Sequence, residues 1–191
     1  MGKTERKNAK PMILSAALDI FSDKGFDGAR IDEIAVHAGV PKSLIYYHFE
    51  GKAQLLEELI KGYYQRYEEL LASTLGDDEK IEMGSRAFAR DNEKLIRVVL
   101  TESLKGNTKL PSLFAFVEGL IERERNLLGR NSENLSKRML AEFFLNVMPR
   151  AMFACYRNAW GEHFGAAPET VEKEFYEVMV EMHGAYLARL F

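Results

Sequence analysis

The chain has 191 residues, 47% hydrophobic and 29% charged, with a net charge of −3 at pH 7. That composition fits one globular domain, or a small head on a larger body, and excludes a low-complexity or disulfide-framework protein. Cys155 stands alone and His37, His48, His163 and His183 are scattered, so neither an intrachain disulfide nor a zinc-ligand spacing is available.

The start, MGKTERK, is charged, and no signal peptide or long apolar span follows. A cytoplasmic, non-membrane setting is expected. Lys3, Arg6, Lys7 and Lys10 suit a basic arm or, equally, a frayed terminus. Residues 1–52 hold eight Lys/Arg against seven acids, a net of +1, which leaves −4 for the remainder.

Ile13, Ala16, Ala17, Ile20 and Phe21 recur at the spacing of an amphipathic helix, with Pro11 tolerable in its first turn. Gly25 is expected to end that helix in a left-handed stop. Ile31, Ile34, Ala35 and Ala38 predict a second helix, with Asp32 and Glu33 in its first turn, where the macrodipole favours anions. Gly39 supplies a sharp turn, Val40 plugs the angle between helices, and Pro41 suits the first position of a third helix.

In that third helix Ile45 and Phe49, four apart, face the core. Lys42, Ser43 and Leu44 occupy the N-terminal part that would enter a DNA major groove, and are the base-reading candidates. Lys42 can donate to guanine, and Leu44 can pack on a thymine methyl. Tyr46, Tyr47 and His48 suit phosphate oxygens, with half-buried aromatic packing as the alternative for the tyrosines and core packing for His48. Lys52 opens a fourth helix, where a docked phosphate would offset the unfavourable meeting of a cation with a helix N-terminus.

FSDKGF, IDEIA, AGV and YYHFEGK, followed by Leu55 and Leu56, resemble the TetR family of bacterial regulators over about the first 56 residues. The resemblance implies a DNA-binding head on a divergent body, with Lys42, Ser43, Leu44, Tyr46, Tyr47, His48 and Lys52 matching positions that commonly touch DNA. The chain departs from the family pattern at Arg30, where a capping Ser or Thr is usual. Arg30 cannot accept the backbone N–H bond, though it can reach a phosphate itself. Asp32, repelled by phosphate, is expected to stay off the DNA.

Beyond Lys52 helical periods dominate. A long fourth helix is expected to about Leu75, followed by helices near Glu79–Ala89, Glu93–Lys105 and Pro111–Leu128 and a loop at Gly129–Asn134. Two long segments, Leu135–His163 and Pro168–Leu190, complete the chain. Pro149 should kink the first of these or divide it in two.

Phe88, Phe114, Phe143, Met148, Met152 and Tyr156 are core formers or the walls of a pocket for a small apolar or amphipathic effector. Arg97, Glu118, Asn146, Arg150 and Arg157 are the polar groups available to orient such a ligand. Phe175, Val178, Met179, Met182 and Tyr186 form a stripe wider than one intrachain contact needs, and suit a four-helix homodimer interface.

The expected architecture is therefore all-α: a three-helix helix-turn-helix head over residues 1–52, then an effector-binding and dimerisation bundle over 53–191, about nine helices in all. The expected role is a ligand-responsive repressor that binds a palindromic operator on double-stranded DNA as a homodimer. An architectural DNA binder without effector, or a helical protein–protein adaptor, is the alternative. No Gly-rich phosphate loop, metal constellation or nucleophile motif suggests an enzyme or a resident cofactor.

Overall fold

A computed structural model describes residues 9–74, 77–106, 114, 117–122 and 135–187. Among these every regular element is helical, giving the all-α class. The chain divides into two compact units, Met1–Ser112 and Leu113–Phe191. The expected basic arm (save Lys10), the loop at Gly129–Asn134 and most of the helix expected from Pro111 lie outside the described residues.

The first unit begins with α1 (Ala9–Gly28), which buries Ile13, Ala16, Ala17 and Phe21. Gly25 adopts φ 71°, ψ 163°. It therefore has the expected positive φ but an extended ψ, and the chain kinks there and makes one further turn to Gly28. α2 (Ile31–Ala38) buries Ile34, Ala35 and Ala38. It closes on Gly39 (φ 65°, ψ 30°) with Val40 N–H donating to the Ala35 carbonyl at 3.0 Å and Gly39 N–H to that of Val36 at 3.1 Å. Those paired bonds satisfy the end of the helix and need a residue without Cβ strain. α3 (Lys42–His48) follows, with Pro41 as its cap.

α4 (Lys52–Ser73) buries Leu55, Leu56, Ile60 and Leu71. α5 (Asp78–Asp91) starts on Asp77, whose carboxylate accepts from Lys80 N–H at 3.0 Å. α6 (Glu93–Leu104) buries Leu95, Ile96, Val98, Val99 and Leu100. α1 packs against α2, α4 and α6. The division drawn after residue 52 from sequence is one of role, whereas the packing division falls at 112/113 because α4 and α6 rest on α1.

Ion pairs reinforce that seating. Asp19 of α1 accepts from Lys94 at 2.6 Å and lies 3.3 Å from the His37 ring, and Asp27 accepts from Lys105 at 2.8 Å. Glu33 accepts from Lys24 at 2.6 Å. The Lys94, Lys105 and Lys24 bonds hold the Asp19, Asp27 and Glu33 carboxyls below their ordinary 3.8, 3.8 and 4.5. A carboxyl with a depressed folded value contributes stability that is present above its unfolded value and lost as pH falls through the folded one. Denaturant midpoints should therefore hold level above about pH 5 and decline below the ordinary carboxyl range, and Lys94→Met should shallow that acid limb. These groups lie at the surface, so added salt should reduce the effect.

In the second unit Val117, Ile121 and Val147 form a core with Leu120, Met139 and Phe143 around it. The segment around Pro149 divides as expected, and the division takes a specific form. α7 (Leu135–Ala141) passes into a π-helix at Glu142–Val147, and α8 (Met148–Phe164) starts afresh with Pro149 in its first turn. Met148 N–H donates to the Phe143 carbonyl, the five-residue reach that widens the helix. Proline cannot donate to the carbonyl of Leu145, so the irregular turns fall just before it.

α8 ends on Gly165 (φ 67°) with Ala166 N–H donating to the Gly161 carbonyl at 3.0 Å, and α9 (Pro168–Leu187) packs against it. A Cβ at Gly161 would stand 2.9 Å from the Ala166 carbonyl oxygen. Gly161→Ala must therefore displace backbone, and should cost about 1–3 kcal/mol in chemical denaturation.

Candidate nucleic-acid interface

α3 is seven residues long, and its two faces differ sharply. Leu44, Ile45 and Phe49 are buried and His48 is half-buried, whereas Lys42, Ser43, Tyr46 and Tyr47 are exposed. The buried set follows the i, i+1, i+4, i+5 rows of one helical face, and the exposed set follows the same rows on the other. The outward face thus carries an ammonium, a hydroxyl and two phenols on a short helix anchored by Ile45 (0% exposed) and Phe49. Tyr47 is 74% exposed, far more than packing alone would leave a tyrosine.

Three expected site residues are placed differently. Leu44 is only 8% exposed, so its side chain belongs to the core of the head and is withdrawn from any thymine methyl. His48 lies on the same inward rows, with its ring 4.9 Å from that of Tyr47 and 6.2 Å from that of Phe49, so it sits at the margin of the outward face.

Lys52 is the clearest correction. Its Nζ donates to the carbonyls of Phe26 at 2.8 Å, Asp27 at 3.0 Å and Ala29 at 3.4 Å, and lies 4.8 Å from the centre of the Phe26 ring. Three carbonyls match the three donors of an ammonium, so this cation clamps the end of α1 to the start of α4 and has no donor left for a phosphate. Carbonyls left over where α1 bends at Gly25 are what attract it. The sequence held a signal for this, a cation at a helix N-terminus, but the partner lay 23 to 26 residues away.

Arg30 is exposed at the cap of α2 and makes no side-chain capping bond, as expected of a donor-only group. Lys42 donates to Asp32 at 2.7 Å, and lies 5.9 Å from the centre of the Tyr46 ring. The Asp32 bond raises the Lys42 ammonium above its ordinary value, so the group is fully charged at neutral pH.

The other candidate sets are scattered. Phe88 stands in the first unit, with its ring 4.9 Å from Tyr63 and 5.2 Å from Tyr67, while Phe114, Phe143, Met148, Met152 and Tyr156 stand in the second. Phe143 and Met148 are half-buried, and the rings of Phe143 and Phe114 lie 5.0 Å apart. Phe114, Met152 and Tyr156 are exposed, and so are not core residues of that unit. Sequence spacing did not reveal a polar chain running from the π-helix into α8: Asn146 donates to Glu142 at 3.0 Å and Arg150 donates to Asn146 at 2.8 Å.

On α9, Val178 and Met182 are exposed, but Met179 is 2% exposed and Phe175 stacks on Phe153 at 3.9 Å. Met179 is thus a core residue of its own chain, and Phe175 is largely committed to the α8 contact. The Tyr186 side chain lies outside the described residues.

A short outward helix bearing Lys, Ser and Tyr, fixed by a glycine turn to the helix before it, has the geometry of a helix-turn-helix. Residues 13–59 match the family described as bacterial regulatory proteins, tetR family. That match covers the N-terminal segment, about a quarter of the chain, and over it the chain is similar to the DNA-binding heads of that family.

The chain is 38% identical over 52 residues to IcaR of Staphylococcus aureus, the HTH-type negative transcriptional regulator of the biofilm operon icaADBC. That match covers 27% of this chain and 28% of IcaR. It is 38% identical over 64 residues to a probable HTH-type transcriptional regulator, YttP, of Bacillus subtilis, covering 34% of this chain and 31% of that one. The sequence similarity thus spans under a third of either relative's length. The fold likeness runs further. A TetR-like transcriptional regulator from Rhodococcus sp. RHA1 superposes with a TM-score of 0.62 at 22% identity, covering 94% of this chain and 98% of that one. No helix among the described residues is long and apolar enough to cross a membrane.

Proposed function

We propose that this protein is a DNA-binding transcriptional regulator of repressor type, acting as a homodimer on a palindromic operator and released by a small apolar or amphipathic effector. The observation that carries the reading is the outward face of α3, where Lys42, Ser43, Tyr46 and Tyr47 stand together on a helix whose opposite face is buried. In this reading Lys42 and Ser43 reach base edges, while Tyr46, Tyr47 and Arg30 bond phosphate oxygens. The similarity of the head to that of a negative regulator supports the repressing sign.

Dimerisation is supported by apolar side chains left exposed on the last two helices: Met152, Tyr156 and Trp160 on α8, and Val178 and Met182 on α9. A two-fold dimer would present two heads to two half-sites separated by a helical turn or a multiple of it. The effector acts by binding one arrangement of the body better than the other, since equal affinity shifts no equilibrium. α4 is the element suited to carry that shift, because Lys52 ties its first turn to the end of α1.

Selection of the full-length chain against a pool of randomised duplexes at low ionic strength tests the reading. The expected result is an enriched inverted repeat whose affinity falls steeply with salt. Failure to retain any duplex, with the protein folded by circular dichroism, would remove it.

A further inference from the structure

Asp32 looks out of place on a surface that faces phosphates, yet the structure puts it beside the groove-entering end of α3. It lies in the first turn of α2 with its side chain 67% exposed, and its Oδ1 is 2.7 Å from Nζ of Lys42, which is 48% exposed. Carboxylate and ammonium therefore stand next to each other on the outer surface, at the first residue of the helix.

Each group keeps hydrogen-bonding capacity after meeting the other. An ammonium has three donors, so Lys42 has two left after bonding Asp32. An ionised carboxylate offers about four lone-pair sites, so Asp32 has acceptors to spare. The charges cancel, and the pair can approach DNA without the repulsion that a lone carboxylate meets. What it presents is two donors beside an acceptor.

Along its major-groove edge a G·C pair shows the opposite order: guanine N7 and O6 as acceptors, then the N4 amino donor of cytosine. O6 and N4 are themselves hydrogen-bonded, about 2.9 Å apart, close to the spacing of the Lys42–Asp32 atoms. An A·T pair alternates acceptor, donor, acceptor and ends in a methyl group, which leaves one of the Lys42 donors without a partner.

We propose that Asp32 and Lys42 form one composite reader of a G·C base pair, with Lys42 donating to guanine N7 and O6 and Asp32 accepting from the cytosine N4 amino group. This rests on the DNA-binding reading above and assigns Asp32, on the helix before the recognition helix, as a specificity-determining residue.

The test uses the full-length wild-type, Asp32→Ala and Lys42→Ala chains, each confirmed folded by circular dichroism and selected against the same randomised duplexes. The selected wild-type site is then resynthesised with pyrimidin-2-one, which lacks the N4 amino group, in place of each cytosine in turn. One cytosine per half-site should matter to wild type by about tenfold and hardly at all to Asp32→Ala. Lys42→Ala should lose preference for the guanine opposite it.

An Asp32→Ala chain that keeps the wild-type profile at every position, or binds all duplexes more tightly without changing that profile, overturns the proposal and makes Asp32 a simple repelling charge. A sharp site with no Asp32-dependent pair leaves the regulator reading standing and defeats this inference alone. Absence of any enriched duplex defeats both.

Discussion

Leu44→Ala should lower the denaturation free energy of the protein by about 2–5 kcal/mol while leaving its base preference unchanged. The side chain is 8% exposed and shares the inward face of α3 with Ile45 and Phe49. Truncation removes buried apolar surface and leaves a cavity that a seven-residue helix, pinned between two turns, closes only in part. Urea titration gives the free energy, and duplex selection below the lowered midpoint gives the preference. A variant of wild-type stability that relaxes one base pair would put Leu44 back in the groove. Ser43→Ala is the natural contrast, because Ser43 is exposed and its loss should register in DNA binding rather than in stability.

Lys52→Met should cost about 1.5–3 kcal/mol of stability, the scale of hydrogen bonds made by a charged group. Methionine keeps much of the apolar stem over the Phe26 ring but leaves the carbonyls of Phe26, Asp27 and Ala29 without their donor. Affinity for DNA should fall as well, because the end of α1 and the start of α4 lose their clamp. The dependence of affinity on salt separates this role from a phosphate contact. Each lost phosphate contact lowers the logarithmic salt slope by about 0.9, whereas loss of a clamp leaves it where it was. A slope reduced by about one unit would return Lys52 to the phosphate-binding set.

Both residues mark how far local pattern reaches. The apolar stripe of α3 was legible as Ile45 and Phe49, but the helix buries a wider strip than that four-residue spacing marks, and Leu44 falls within it. Lys52 was legible as a cation in an unfavourable position relative to the helix dipole. Its partners are backbone carbonyls exposed by the bend at Gly25, and no side-chain pattern announces a carbonyl. The aromatic and methionine residues of the body posed the opposite difficulty. Phe88 and Phe143 have the same composition signal, yet they stand in different compact units.

Sequence by itself determined the elements of the head, the glycine turn at Gly39, the interruption near Pro149, and an outward set in which Lys42, Ser43, Tyr46 and Tyr47 were read together with Leu44 and His48. These follow from periodicity, from the missing Cβ of glycine and from the missing N–H of proline, all properties of a residue and its near neighbours. Tertiary structure alone decided that Leu44 and Met179 turn inward, that Lys52 closes on the end of α1, and that Asp32 lies against Lys42. Each depends on where a second helix passes, and contact between residues distant in the chain is set by the packing of whole elements, which local spacing does not encode.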